Sequence, residues 1–334
     1  MPSARTALQR RDRETEPGPD GIAEAVAGLL QDQKQLPPKL FYDDEGCRLF
    51  ARITELPEYY ITRTELALLR KISPEIALLS PPDAAIVEYG AGSDTKASIL
   101  LSALHTPAAY VPIDVAAGAL EMIAHRLARR YPGLRIYPLV ADFLAPLTLP
   151  PAIRGLPHLG FFPGSTIGNL EPPAVRIFLR NVRTTLGPQA RFLVGADLRK
   201  SPEVLIPAYD DAEGVTAAFN RNILVRLNRE ADADFDPESF EHRAVWNESE
   251  SRIEMHLVSR RAQIVHIGGH AIHFSAGESI HTENSYKHTA EAFRALAREA
   301  GWEPVQLWTD PDALFSIHML RAGGESCEES ASAP

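Results

Sequence analysis

Between residues 84 and 198 the apolar positions switch repeatedly between two spacings. Residues 84–90 (AAIVEYG), 109–114 (AYVPID), 135–142 (RIYPLVAD), 159–164 (LGFFPG) and 191–198 (RFLVGADL) are short apolar runs, as buried strands require. Residues 95–104, 118–131 and 173–186 between them space their apolar residues as helices do. Such alternation predicts a parallel sheet with helices on both faces, its strand ends and loops gathered along one edge. After residue 200 the rhythm changes. Stretches 201–211 and 215–230 are helix-like, and 251–260, 261–267 and 270–275 strand-like, the last two joined at Gly268-Gly269 with the signal of a hairpin. Helix 288–301 and strands 303–310 and 313–321 then complete a Rossmann-like, mainly parallel sheet of seven strands. Upstream, 22–33 is helical, and 37–72 carries two amphipathic runs broken by Pro57.

This layout predicts a sheet domain from 61–199 and 288–322. A second α+β lobe from 21–60 and 200–287 would lie over the strand ends. A chain of 334 residues is long enough for that division. Segments 1–20 and 323–334, rich in charged, proline or small residues, are expected to be disordered tails. With 34 Lys and Arg against 44 Asp and Glu, a nucleic-acid partner is disfavoured, because phosphate binding needs concentrated positive charge. Two cysteines, Cys47 and Cys327, exclude a disulfide framework and a cysteine-based zinc site. No apolar run is long enough for a membrane span or a signal peptide, so a cytoplasmic protein, expected to be monomeric, is read.

Polar residues at the strand ends are the first candidate chemistry. In VEYGAGS, Glu88 precedes Gly90 and Gly92, where glycines let a ligand approach the backbone and the next helix N-terminus favours a negative group. Thr95 stands where the dinucleotide fingerprint has its third glycine. Asp114 ends the next strand and suits a ribose hydroxyl pair. Asp142 could accept from an adenine amino group while Phe143 packs on the ring. The alternative is that each acid merely caps a helix. These residues alone reach an adenosine-binding sheet, serving a dinucleotide or S-adenosylmethionine.

LPPKLFYDDEGCRLFARITELPEYYITRTE, VEYGAGS, GSTIGNL, AYDDAEGVTAAFNRNIL, DFDPESFEH and IEMHL together resemble the histidine-specific N-alpha-methyltransferases of ergothioneine biosynthesis, over residues 36–320. The resemblance implies a class I methyltransferase fold. It also implies trimethylation of the alpha-amino group of L-histidine to hercynine, with S-adenosyl-L-methionine as donor and S-adenosyl-L-homocysteine as product. It carries cofactor contacts onto Gly90, Lys96, Asp114, Asp142 and Phe143, with Gly92 in the same turn. Lys96 would pair with the cofactor carboxylate. Asn169 and Tyr209 match the residues that hold the amino acid's carboxylate end, the Gly164 carbonyl lies near its amine, and Tyr42 and Tyr59 reach in from the N-terminal segment. Tyr89 departs from the family's usual Leu, which alters packing more than chemistry.

Side-chain selection is assigned to TENSYK. Glu283 and Ser285 are two apart and face one side if extended, and imidazole offers one donor and one acceptor to a carboxylate and a hydroxyl. Met255 would add an apolar wall. Methyl transfer to an amine needs alignment, desolvation and loss of the ammonium proton. Tyr42 and Asn169 are the residues expected at the reacting nitrogen, and aromatic faces such as Tyr42 and Phe50 suit a growing cation. Metal binding by His266, His270, His273 and His281 is set aside, because a hairpin scatters them. GSTIG lacks the second glycine of a serine elbow. Two other readings stay open: a methyltransferase acting on another aromatic amino acid or an indole derivative, which Glu283 and Ser285 disfavour, and a non-catalytic cofactor-binding protein, which would lack the pocket residues.

Overall fold

The computed structural model describes residues 19–323; the expected tails, with Cys327, lie outside the described residues except for residues 19–20, where helix α1 begins at Pro19, and Gly323, whose amide donates to Gly301 O at 2.9 Å. In chain order the elements are α1 (Pro19–Leu29), β1 (Lys34–Gln35), α2 (Asp44–Ile53), α3 (Tyr60–Leu79), β2 (Ala85–Tyr89), α4 (Asp94–Ala103), β3 (Ala109–Asp114) and α5 (Ala117–Arg130). They continue with β4 (Arg135–Ile136), β5 (Leu139–Val140), β6 (His158–Phe162), α6 (Pro172–Leu186), β7 (Arg191–Asp197), α7 (Pro202–Leu205) and α8 (Val215–Glu230). Then come β8 (Phe240–Asn247), β9 (Arg252–Ser259), β10 (Gln263–Ile267), β11 (His270–Phe274), β12 (Ser279–Tyr286), α9 (Ala290–Glu299), β13 (Trp302–Thr309) and β14 (Phe315–Ala322).

The main sheet runs β13-β14-β7-β6-β2-β3-β4, with β5 also paired to β3; β14 is antiparallel to both neighbours and the other core pairs are parallel. Its topology is that of a class I methyltransferase. The expected strand over 135–142 is two short pieces on one edge, because Pro138 between them has no amide to donate. Every residue of β2 is buried, as a central parallel strand covered on both faces must be. Helix α6 shows how the covering works. Pro172 sits in its first turn, Val175, Phe178, Leu179, Val182 and Leu186 form the buried stripe, and Gly187 at φ 88 ends it. Phe178 packs on Phe162 at 4.7 Å between ring centroids, and Trp302 donates its indole N–H to Leu179 O at 2.8 Å.

A second sheet, β1-β12-β9-β8, holds α8 against α2. Besides the two-residue β1, its strands β8 and β12 are absent from the pattern read in the sequence. Their inward positions are polar as well as apolar, His242 in β8 and Glu283 and Ser285 in β12, so the period-two signal is broken. The hairpin β10-β11 turns at Gly268 and Gly269, both with positive φ (57 and 80), as a tight turn of this type needs. Helix 201–211 is shorter than its pattern suggests: after α7 the chain tightens into a 3-10 turn, Ile206–Ala208, where Pro207 removes a donor.

Candidate active site

The segment following β6 leaves the sheet through Gly164 (φ 84) and Ser165 (φ 60), both left-handed, then tightens into a 3-10 turn, Thr166–Asn169. Left-handed serine costs roughly 1–2 kcal/mol, and two buried contacts hold it. The Gly164 amide donates to both oxygens of Glu65 (2.8 and 3.0 Å), and the Asp197 amide donates to Ser165 Oγ at 2.9 Å. Gly168 is required by crowding: a Cβ there would lie 2.8 Å from Tyr286 O, so glycine lets this turn press on β12. That contact brings Asn169 toward the inward side chains of β12.

Strand β12 is itself re-aimed. Opposite β9 its register slips between His281 and Glu283, leaving Thr282 as an extra residue whose hydroxyl donates to Met255 O at 3.0 Å. The bulge inverts the alternation, so Ile280, Glu283 and Ser285 share the face of Leu257, Met255 and Ile253. Without it, Glu283 and Ser285 would point to the other face.

A cavity of ≈ 50 Å³ lies between these elements. Tyr42 and Tyr59 line it from the N-terminal segment, Gly164 and Asn169 from the turn after β6, and Tyr209, Met255, Glu283 and Ser285 from the second sheet and the turn after α7. All eight residues read as substrate-binding therefore meet in one enclosure. Phe50, named as a candidate aromatic face, joins them. Thr216 and Phe219 were not read from the sequence; they stand three apart on α8 and share its cavity-facing side, a signal visible in the helical spacing. The aromatic wall is continuous: Tyr42 meets Phe50 edge-on at 6.1 Å, Phe50 meets Tyr59 at 6.3 Å, and Tyr59 meets Tyr209 at 6.3 Å.

Burial dominates the electrostatics. It pushes the Tyr42 phenol well above its ordinary value, and the charges of Glu283 and Asp114 push it further. Burial does the same to Tyr59 and Tyr209, so all three phenols keep their protons at neutral pH. Glu283 is raised by burial to about 7, against a smaller opposing pull from the Lys287 ammonium.

The strand-end candidates fall side by side. The Gly90 and Ala91 amides donate to Ile113 O (2.9 and 3.0 Å), and the Ala141 amide donates to Asp114 O at 3.0 Å, aligning Gly90, Asp114 and Asp142 across neighbouring strands. Gly90 has φ 72, and a Cβ there would meet Phe143 at 3.6 Å. At Gly92 a Cβ would meet nothing within 4 Å, leaving the turn open to a ligand. Asp114 accepts from Ala116 N and Asp142 from Leu144 N, both at 2.9 Å, so each acid also braces its own turn. Burial raises Asp114 above the usual carboxylate value. Glu88 is different: it is fully buried, its carboxyl pushed to about 8 by burial and bonded by the Tyr110 hydroxyl at 2.5 Å, so it belongs to the sheet interior and not to the open edge. Lys96 pairs with buried Glu65 at 2.5 Å and lies 3.2 Å from where a Gly164 Cβ would be. An edge with an acid for hydroxyls, an aromatic face, an open glycine turn and a cation for a carboxylate fits S-adenosylmethionine, and Lys96 and Gly164 put it in contact with the cavity.

His266, His270 and His273 are dispersed along the β10-β11 hairpin, with His266 paired to Asp234 at 2.8 Å. His281 instead meets Glu254 and His256 on the other face of the second sheet, a grouping the sequence did not reveal. Arg252 already occupies that Glu254 carboxylate at 2.7 Å.

Residues 22–322 match the family model described as histidine-specific methyltransferase, SAM-dependent. A histidine N-alpha-methyltransferase of Mycolicibacterium smegmatis is 43% identical over 314 residues, covering 90% of this chain and 96% of that protein. One of Mycobacterium tuberculosis is 42% identical over 301 residues, covering 89% and 93%. Ergothioneine biosynthesis protein 1 of Schizosaccharomyces pombe is 27% identical over 299 residues, 86% of this chain but 39% of that protein. With the sheet order, the aligned strand-end residues and a family match across nearly all described residues, the chain belongs to the histidine-specific, S-adenosylmethionine-dependent methyltransferases.

Proposed function

We propose that this enzyme transfers three methyl groups to the alpha-amino nitrogen of L-histidine, giving hercynine and S-adenosyl-L-homocysteine, as the first step of ergothioneine biosynthesis. The observation that carries this reading is the enclosure of Glu283 and Ser285, on one face of β12, in a cavity also lined by Asn169 and five aromatic side chains. An imidazole N–H can donate to Glu283 and its other nitrogen can accept from a hydroxyl. A phenyl or indole ring would leave one of those buried groups unpaired, at about 1–3 kcal/mol or more.

Bound S-adenosylmethionine supplies an electrophilic methyl on a sulfonium. Gly90, Gly92, Asp114, Asp142 and Phe143 would hold its adenosine, and Lys96 its carboxylate. Asn169 and Tyr209 would hold the substrate carboxylate, which leaves the alpha-nitrogen beside the Gly164 carbonyl and Tyr42. Tyr42 and Asn169 act at that nitrogen by orienting it. A phenol whose pKa is raised by burial is a poor base, so the ammonium proton leaves through water. Tyr42, Phe50 and Tyr59 then offer faces and edges to a nitrogen that becomes a fixed cation.

The division into a sheet domain (61–199 and 288–322) and a substrate lobe (21–60 and 200–287) is part of this proposal, as are a monomeric state and a cytoplasmic location. No described helix is long and apolar enough to cross a membrane. Incubation with S-adenosylmethionine and L-histidine, followed by product mass, tests the reading. Successive products with one, two and three added methyls are expected; turnover of tryptophan or phenylalanine in preference to histidine would overturn it.

A further inference from the structure

Behind the substrate cavity lies a charged cluster that none of the assigned roles uses. Lys287 is completely buried, and its ammonium has three partners: Asp197 at 2.8 Å, Tyr209 Oη at 2.8 Å and Ser285 Oγ at 2.9 Å. An ammonium has three N–H donors and no acceptor, so all three are spent. Asp197, also wholly buried, accepts in addition from Tyr60 (2.7 and 2.9 Å) and from Lys200 at 2.6 Å. Two buried ammoniums therefore share one carboxylate. Burial presses Lys200 down to about 8, and Lys287 is among the causes. Among directly bonded groups two ammoniums meet one carboxylate, with Asp310 and Glu283 the further acids that feel Lys200 and Lys287, and the cavity side of the cluster is made of Tyr209 and Ser285.

The hydroxyl geometry adds direction. Tyr209 Oη and Ser285 Oγ are 2.8 Å apart, so one donates to the other while both accept from Lys287. Of their two protons one is consumed in that mutual bond. The other is left without a partner in the pair and, since both residues line the cavity, is available to an acceptor there. Without the ammonium the same oxygens could accept from a ligand N–H, and the pair would no longer discriminate between donor and acceptor.

We propose that Lys287 is the positioning cation of the substrate site. It fixes Tyr209 and Ser285 as hydrogen-bond donors: when substrate binds, their mutual bond opens, and Ser285 donates to the imidazole nitrogen while Tyr209 donates to the carboxylate of the amino acid. This rests on the substrate reading given above and identifies the group that sets the polarity of that end of the pocket. It also explains a buried lysine directly behind two neutral hydroxyls, a place where an apolar residue would cost less desolvation.

Lys287→Met tests it, because the apolar stem is kept and Asp197 retains Lys200 and Tyr60, leaving no bare buried anion. Binding of S-adenosyl-L-homocysteine, and of L-histidine in its presence, is measured by calorimetry for wild type, Lys287→Met, Tyr209→Phe and the double variant. Expected are cofactor-product affinity within about twofold of wild type and histidine affinity at least about 30-fold weaker in Lys287→Met. Tyr209→Phe should weaken histidine at least about tenfold in wild type but less than about twofold in the Lys287→Met background. Lys287→Gln, which keeps two donors, should recover part of the loss. The proposal is overturned by unchanged histidine affinity in Lys287→Met, by the same Tyr209→Phe factor in both backgrounds, or by parallel collapse of cofactor-product binding, which would make Lys287 a brace for the whole fold. Wild-type protein that binds the cofactor product but not histidine would instead refute the substrate reading itself.

Discussion

The Thr282 hydroxyl donates to the Met255 carbonyl at 3.0 Å and thereby pins the bulge that turns Glu283 and Ser285 inward. Thr282→Val keeps the shape of the side chain and removes the donor, leaving a buried carbonyl with one partner fewer. A loss of about 1–2 kcal/mol in unfolding free energy is expected, with a rise in the KM for histidine that exceeds any fall in kcat. Thr282→Ser should restore both. Denaturant melts and steady-state kinetics of the two variants check this; an unaltered KM in Thr282→Val would mean the strand holds its register by other contacts.

Glu283 makes stability depend on pH in an unusual direction. In the folded, ligand-free protein its carboxyl keeps the proton up to about pH 7, whereas an ordinary glutamate releases it near 4.5. Between those values the folded state binds more protons than the unfolded state, so stability falls as pH rises through this window, by about 3 kcal/mol in all. Glu283→Gln removes the dependence. Its melting temperature should equal or exceed that of the wild type at pH 8, and the advantage should shrink toward pH 5. Histidine affinity of the wild type should rise across the same window as the carboxylate forms, and that of Glu283→Gln should be lower and flatter.

Met255 and Glu283 face each other across β9 and β12 and both line the cavity, and in the proposed substrate reading they limit what it accepts. Replacing both by small apolar residues should lower kcat/KM for histidine by at least about 100-fold, since a buried charged partner worth roughly 2–3 kcal/mol is lost with the wall. Tolerance of larger aromatic amino acids should improve. Competition assays across amino acids measure the shift, and undiminished histidine turnover would show that the imidazole lies elsewhere.

Tyr42 separates orientation from proton transfer. Because burial and the neighbouring acids keep its phenol protonated, Tyr42→Phe should reduce kcat by no more than about tenfold and leave the pH profile of kcat in place. Loss of the alkaline or acidic limb in that variant would identify the phenol as a general base.

The sequence by itself determined the sheet. The alternation from 84 to 198, the paired strands after 303 and the glycines and acids at strand ends follow from local spacing, and the structure returns them within a few residues. It also carried enough of Tyr42, Asn169 and Tyr209, in their surrounding strings, to name the family. What only the tertiary structure decided is how those residues share one enclosure. The bulge at Thr282 and the close approach of Gly168 to Tyr286 depend on partners far away in the chain, and a one-residue change of register leaves no mark on composition or period. The same holds for Lys287, Asp197 and Lys200: in the sequence they are ordinary charged residues, and only burial, which strips them of water and forces them to satisfy one another, makes them part of the site.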